Sequence, residues 1–403
     1  MKGTLALWYE PALPRSEDRG PVRVELHLNL WRDLPSGVNF LDIGLLLEDV
    51  EGMSRFYLYV PARLERSQID DLYGILRSTA DAVFNDVVEL GAEGDDRYGI
   101  TRSGRADTVF RIRDEDLELF HDEDAVFGTG TRITFRENLV KRMCAAAGPK
   151  YLRFRIHLTG AARNTFSSEV LARDKVFVSS SGVLEVTEFR LNERRSFPAS
   201  IARRKDPGRF LVTRIHYFLI RDLEHQLISQ HARFEKIRRM EAELWLKYLA
   251  SAYPDGEDGL TTKLAERLVI YHWKERAKKQ SVDDELEGIG DFIAFASFRR
   301  STSSLPVYAV MIVLLGAAGS LLAAAGTKAL ASWLSDPDVA GRSAADLEPT
   351  AEVRLLIALA VIVALVVFAP VVRSGALAFG AAVRNGFHRS RLRNRLLKLI
   401  GRS

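Results

Sequence analysis

Leu305-Pro306-Val307-Tyr308-Ala309-Val310-Met311-Ile312-Val313-Leu314-Leu315-Gly316-Ala317-Ala318-Gly319-Ser320-Leu321-Leu322-Ala323-Ala324-Ala325-Gly326-Thr327 contains no charged side chain. As a helix rising about 1.5 Å per residue, it is long enough to cross a hydrocarbon layer of roughly 30 Å. Pro306 falls in the first turn, where its missing N–H costs little. Lys328 can extend outward, and Trp333 is placed for the interfacial belt. A second run, 355–372, is rich in Val, Ile and Leu and closes on Pro370 and Arg373, with Ala376 to Val383 as a possible extension. The pair predicts a transmembrane hairpin over 301–384, with spans at 305–327 and 355–372.

The flanks orient it. Arg299 and Arg300 precede the first span, while Arg389, Arg391, Arg393, Arg395 and Lys398 fill a tail over 385–403. The connecting loop carries Asp336, Asp338, Asp346, Glu348 and Glu352 against Lys328, Arg342 and Arg354. Positive charge stays on the cytoplasmic side, so both termini are expected inside and the loop outside, in a cell inner membrane. The basic tail is then expected to meet anionic lipid headgroups. The N-terminus, MKGTLALWYE, has no long apolar core or cleavage site of a secretory signal, which agrees with a cytoplasmic N-terminal region. Gly316, Gly319 and Ala323 make a small-residue face suited to close helix packing. Neither span holds a central acid, base or histidine, which argues against a transporter or pump.

Before Leu305 the chain reads as a water-facing domain. The whole sequence has 57 Lys and Arg, 53 Asp and Glu, a net charge of +4 and a single cysteine, Cys144. Much of the positive excess sits in the tail, so nucleic acid is not an expected partner, and one cysteine permits no disulfide framework. Val22 to Leu30 alternates, with Val and Leu on one face and Arg23, Glu25, His27 and Asn29 on the other. Ser54–Val60 and Tyr151–Leu158 repeat that pattern, and Leu41–Leu47 and Phe210–Ile220 are near-continuous apolar runs. Ser67 is expected to cap a helix through Ile69, Leu72, Tyr73, Leu76, Ala80, Val83 and Phe84. A second helix is expected near Glu137–Ala146. The fold class is therefore α+β: a mainly antiparallel β domain over 1–221, with a possible subdomain boundary near 148. Helical spacing of Leu223, Leu227, Phe234, Ile237, Leu244 and Leu249 predicts a helical stalk over 222–300. That stalk is expected to end in an interfacial helix at Phe292–Arg300.

Chemical motifs are sparse. Asp114-Glu115-Asp116 with His121-Asp122-Glu123-Asp124 lacks the fixed spacing of a calcium loop, and Gly128-Thr129-Gly130 lacks the third glycine of a dinucleotide site. The eight histidines include no H-E-x-x-H; His216 shares a strand face with Arg214 and reads as a satisfied core histidine. Cys144 reads as a packed residue. No catalytic residue, metal site or cofactor is expected. The one ligand-binding candidate is the stripe Tyr151, Arg153, Arg155 and His157, whose guanidinium groups suit a small anion or nucleotide; a solvated face paired with neighbouring acids is the plain alternative.

A cytoplasmic domain followed by a stalk and a two-helix hairpin is similar in arrangement to bacterial membrane-acting effectors, including those of anti-phage immunity. That likeness implies a non-enzymatic sensor or effector that binds a ligand or partner and oligomerises to perturb the membrane. Two other readings remain open: a passive anchor or scaffold that recruits a partner complex, and a membrane-tethered enzyme with the acidic cluster at its site.

Overall fold

In a computed structural model, the chain falls into two compact units, Met1–Leu171 with Val183–Ser301, and Ala172–Gly182 with Thr302–Ser403. The structure describes residues 4–301 except 13–19, 35–36, 125–127, 171–181, 194–207, 232–233, 254–257 and 279–285, together with separate positions between Ile312 and Ala331. The first unit is mixed α+β and mostly sheet. Its strands are β1 (Ala6–Pro11), β2 (Arg23–Trp31), β3 (Phe40–Glu48), β4 (Met53–Val60), β5 (Ile69–Asp71), β6 (Val88–Glu93), β7 (Arg97–Arg102), β8 (Arg105–Phe110) and β9 (Leu117–Asp124). They continue as β10 (Gly128–Phe135), β11 (Lys150–His157), β12 (Ser167–Val170), β13 (Gly182–Leu191), β14 (Leu211–Asp222), β15 (His225–Gln230), β16 (Lys236–Arg239), β17 (Leu268–Arg276) and β18 (Phe292–Ser301). The helices are α1 (Tyr73–Phe84), α2 (Glu137–Cys144), α3 (Ala242–Ala250) and α4 (Asp258–Arg267).

One large sheet runs β16-β17-β14-β2-β3-β11-β8-β7-β6, with β5 added beside β11; two four-stranded sheets run β1-β4-β10-β9 and β12-β13-β18-β15. Most pairs are antiparallel, as the alternating runs predict, but β14 lies parallel to β2 and β11 parallel to β8. Strands on either side of residue 148 share this sheet: β11 pairs with β3, and β14 with β2.

The main core lies on one face of the large sheet. Leu26 and Leu28 of β2, Ile43 and Leu45 of β3, Phe154 of β11 and Tyr217 of β14 cluster there with Phe56 and Leu58 of β4, Phe135 of β10, Phe189 of β13 and Phe298 of β18. Each such side chain contributes on the order of 1.5–3 kcal/mol on leaving water. The opposite face carries a second cluster. Trp31, Phe40, Ile220 and Ile270 from the strands meet Trp245, Tyr248 and Leu249 of α3 and Leu264 and Ala265 of α4.

The 222–300 region corrects the expected helical stalk. Leu227 belongs to β15 and Ile237 to β16, and among the described residues of this region only Ala242–Ala250 and Asp258–Arg267 are helical. The amide of Glu224 donates to the Asp222 side chain at 2.8 Å, a local turn that ends β14 where the spacing predicts a helix to begin. Leu244 and Leu249 do fall in α3, but the near-helical spacing of Leu223, Leu227, Phe234 and Ile237 does not outweigh two ladders, β17 against β14 and β15 against β18. Phe292–Arg300 is likewise strand and not an interfacial helix. Phe292, Ala294, Ala296 and Phe298 alternate into the main core at period two. The first helix also starts later than expected, at Tyr73, because Ile69, Asp70 and Asp71 pair with Ile156, Arg155 and Phe154 of β11.

In the second unit, Ile312, Val313, Gly316, Ala317, Gly319, Ser320, Ala323, Ala324, Gly326, Thr327 and Ala331 have helical backbone and are exposed. Thr327 Oγ1 donates back to the carbonyls of Ala323 and Ala324, at 3.0 and 2.9 Å. Among the described residues, no helix is long and apolar enough to cross a membrane. The expected second span 355–372 and the basic tail with Arg389, Arg391, Arg393, Arg395 and Lys398 lie outside the described residues.

Candidate functional site

Strand alternation sends Val24, Leu26, Leu28 and Leu30 into the main core and Glu25, His27, Asn29 and Trp31 to the other face of β2. The polar side chains of that second face are nevertheless buried, because α1 and α3 roof it. The Phe84 ring of α1 lies 4.9 Å from Tyr151 and 5.9 Å from His27, and Tyr248 of α3 stacks on Trp31 at 6.0 Å. Register then sets the neighbours. His27 lies opposite Gly44 on β3 and His216 on β14; Gly44 lies opposite Arg153 on β11, and Asp42 opposite both Asn29 and Arg155.

A continuous polar chain crosses five strands on this face. It starts with His272 Nε2 and His216 Nδ1 at 3.1 Å, their rings stacked. His216 Nε2 lies 3.7 Å from Glu25 Oε1, and the same oxygen meets His27 Nε2 at 3.0 Å. His27 Nδ1 then contacts the Tyr151 hydroxyl at 3.2 Å, and that hydroxyl accepts from Arg153 Nη1 at 3.2 Å. Arg153 Nε donates to Tyr248 Oη, and Tyr248 donates to Asp42 Oδ2 at 2.7 Å. Asp42 also accepts from Trp31 Nε1 and twice from Arg155. Gly44 makes the middle possible. A Cβ there would collide with the Tyr151 ring and hydroxyl, so no larger residue lets Tyr151 reach His27.

The two ends differ in exposure. Asp42 and Arg155 are sealed, whereas the His216 side chain is 18% exposed and Arg214 beside it is 40% exposed. Burial pushes His216 down to about 3, helped by the nearby His27, and pushes His272 down to about 4, helped by Lys274, Lys236 and Arg238. His27 is lowered as well, chiefly by burial. Burial alone would raise the Glu25 carboxyl, but the His27 hydrogen bond and the charges of His27, Arg214 and His216 hold it down at about 2. At neutral pH the cluster is therefore three neutral imidazoles around an ionised carboxylate.

Among the described residues, two groups bring three ligand-type atoms within 4.8 Å of one another: Glu25, His27 and His216, and Asp33, Glu185 and His225. The second is already filled by guanidinium groups. Arg221 donates to both oxygens of Glu185, at 3.1 and 2.6 Å, and to Asp33; Arg32 Nε reaches Glu185 at 3.0 Å, and Arg163 reaches Asp33 at 2.8 Å. Three cations on two acids leave no charge for a metal. This group ties β13 to the ends of β2 and β14.

The sequence-predicted residues distribute as follows. Tyr151, Arg153 and Arg155, the stripe expected to take a small anion or to lie solvated against neighbouring acids, do share one strand face, but all three are buried and held by partners within the chain, Arg155 by Asp42 of the neighbouring strand. The correction has a plain cause: local alternation separates two faces but does not say which of them a helix will cover. His157 sits at the half-buried end of the stripe, 2.7 Å from Asp70. The acidic cluster disperses: Asp116 is buried against Arg142, while His121 meets Thr131. Cys144 packs half-buried against the main core. Sequence reasoning missed Glu25, His27, His216 and His272 as members of a site, His216 reading there as a satisfied core histidine. The pair Glu25-x-His27, two ligand-type residues on one strand face, is the only local signal for it.

Compared with known proteins, the chain matches no family model and no curated protein.

Proposed function

We propose that the chain is a membrane-anchored sensor or effector. Its β unit works in the cytoplasm and binds a ligand or protein partner. A hairpin of 305–327 and 355–372 holds it in the inner membrane, with both termini inside and the basic tail on anionic lipid. Self-association through Gly316, Gly319 and Ala323 lets the hairpin perturb the bilayer. The likeness in arrangement to membrane-acting defence effectors points to the same outcome.

The observation that carries this reading is the uncharged run itself, bounded by Arg299 and Arg300 on one side and an acidic loop on the other. The described positions of the run add support. They are helical, and Ile312 and Val313 are 70% and 69% exposed, an apolar surface that lipid or a second copy would cover. Among the described residues, a Cβ added at Gly316 or Gly319 meets nothing within 4 Å, which leaves room there for a close-packed helix.

Induced expression is expected to depolarise cells, read with a voltage-sensitive dye. Gly319→Leu is expected to cut that response roughly tenfold at equal membrane abundance, by blocking close helix approach. Absence of depolarisation under every inducing condition, or a response undiminished in G319L, contradicts the effector reading. A stoichiometric copurifying protein without depolarisation favours a scaffold instead.

A further inference from the structure

We propose that Glu25, His27 and His216 form a binding site for a divalent transition metal, with zinc the best fit. The inference uses only the β unit and stands apart from the membrane reading.

The donor set is two imidazoles and one carboxylate, which suits zinc and other late first-row ions and does not suit calcium or magnesium. The spacing suits it too. A tetrahedral ion with bonds of about 2.0–2.1 Å keeps its ligand atoms about 3.3 Å apart. Glu25 Oε1 stands 3.0 Å from His27 Nε2 and 3.7 Å from His216 Nε2, on either side of that value. All three atoms converge from two strands whose parallel register places His216 beside His27 and Arg214 beside Glu25. Three protein ligands leave a fourth position for water.

The supporting groups are also in place. A ligating histidine ordinarily has its second nitrogen fixed by a hydrogen bond, which selects the tautomer and aims the first nitrogen at the metal. Here the Nδ1 of His27 is engaged by the Tyr151 hydroxyl and the Nδ1 of His216 by His272, leaving both Nε2 atoms turned toward Glu25. The Tyr151 hydroxyl accepts or donates as required, so it serves either tautomer of His27. Arg214 Nη1 holds Glu25 Oε2 at 3.1 Å and leaves Oε1 for the ion. The contrast with Asp33, Glu185 and His225 sharpens the assignment: that trio has comparable spacing but its acids already meet Arg32, Arg163 and Arg221, whereas Glu25 meets one partly exposed guanidinium. The partial exposure of His216 provides the way in.

The test is equilibrium dialysis of the untagged full-length chain in detergent, stripped with a chelator and then offered Zn2+, with metal counted by mass spectrometry. The expected result is about one equivalent per chain, with affinity falling at least about tenfold in both H216N and H27Q. Binding should persist in C144S, since Cys144 packs in the main core. Cobalt substitution gives a second readout that needs no variant: four-coordinate nitrogen–oxygen ligation shows intense visible bands without thiolate charge transfer, and the metal raises the unfolding temperature by mass action. H216N alters a partly exposed side chain, and its unfolding curve checks that it folds. No retained zinc in the wild-type chain overturns the proposal, and so does equal affinity in wild type, H216N and H27Q.

Discussion

Replacing Asp42 with alanine is expected to destabilise the β unit by roughly 3–5 kcal/mol, the cost of leaving a buried charge without its partner. Asp42 is fully buried and accepts from Trp31 Nε1 at 2.9 Å, Tyr248 Oη at 2.7 Å, and Arg155 Nε and Nη2 at 2.7 and 3.3 Å. Alanine removes all four acceptor contacts and leaves the guanidinium of Arg155, 1% exposed, without a counter-charge. The ring faces of Phe40 and Tyr248, 3.9 and 5.1 Å from that guanidinium, recover only a part. Asp42→Asn keeps an acceptor but loses the charge, and should fall between wild type and D42A. Thermal unfolding of the purified chain checks the order. A loss under about 1 kcal/mol for D42A would mean that the roof of α1 and α3 admits water to Arg155.

Glu185→Gln is expected to have an effect of similar size, again roughly 3–5 kcal/mol, for a related reason. Among the described residues, the carboxylates that meet Arg32, Arg163 and Arg221 are Glu185 and Asp33, and Arg221 is fully buried. Neutralising one acid leaves three guanidinium groups on a single carboxylate. The same group of charges sets a pH limb. Burial works to raise the Asp33 carboxyl, but Arg32, Arg163 and Arg221 overcome it and hold the group well below the usual range. An acid lowered on folding contributes stability that is present above its unfolded value of about 3.9 and lost as pH falls below it. Denaturant melts from pH 6 down to about 3 should therefore show falling stability, with a shallower fall in Asp33→Asn. A limb unchanged in D33N would place the titrating groups elsewhere.

Legibility from sequence follows the range of the forces involved. The alternation of Val24, Leu26 and Leu28, or of Leu152, Phe154 and Ile156, is local, so β2 and β11 are visible in the sequence. Helix α2 is visible for the same reason. Leu223, Leu227, Phe234 and Ile237 imitate a helix face, yet they end up in turns and strands because β15 and β16 complete sheets with strands formed far along the chain. Phe292, Ala294, Ala296 and Phe298 have period two in the sequence, but an aromatic stretch ending in Arg299 and Arg300 equally suits a membrane surface.

The site was less legible than the fold. Glu25 and His27 are two apart on one strand, but Arg214 meets Glu25 and His216 meets His27 only through a parallel pairing across 189 residues. Nothing local encodes that register. Gly44 is similar: its meaning as the gap under Tyr151 exists only once β3 lies beside β11. Tyr151, Arg153 and Arg155 were visible as a set. Their burial was not, since it depends on where α1 and α3 come to rest.

The membrane anchor is the claim on which the proposed function depends, and topology tests it most directly. In a C144S background, single cysteines are introduced as Ser343→Cys in the acidic loop and Ser403→Cys at the C-terminus. Intact bacterial spheroplasts are then treated with a membrane-impermeant maleimide. The expected result is labelling at position 343 alone, with position 403 reacting only after lysis and the chain sedimenting with membranes. A chain that stays in the soluble fraction, or equal protection of both positions before lysis, would contradict an N-in, C-in hairpin.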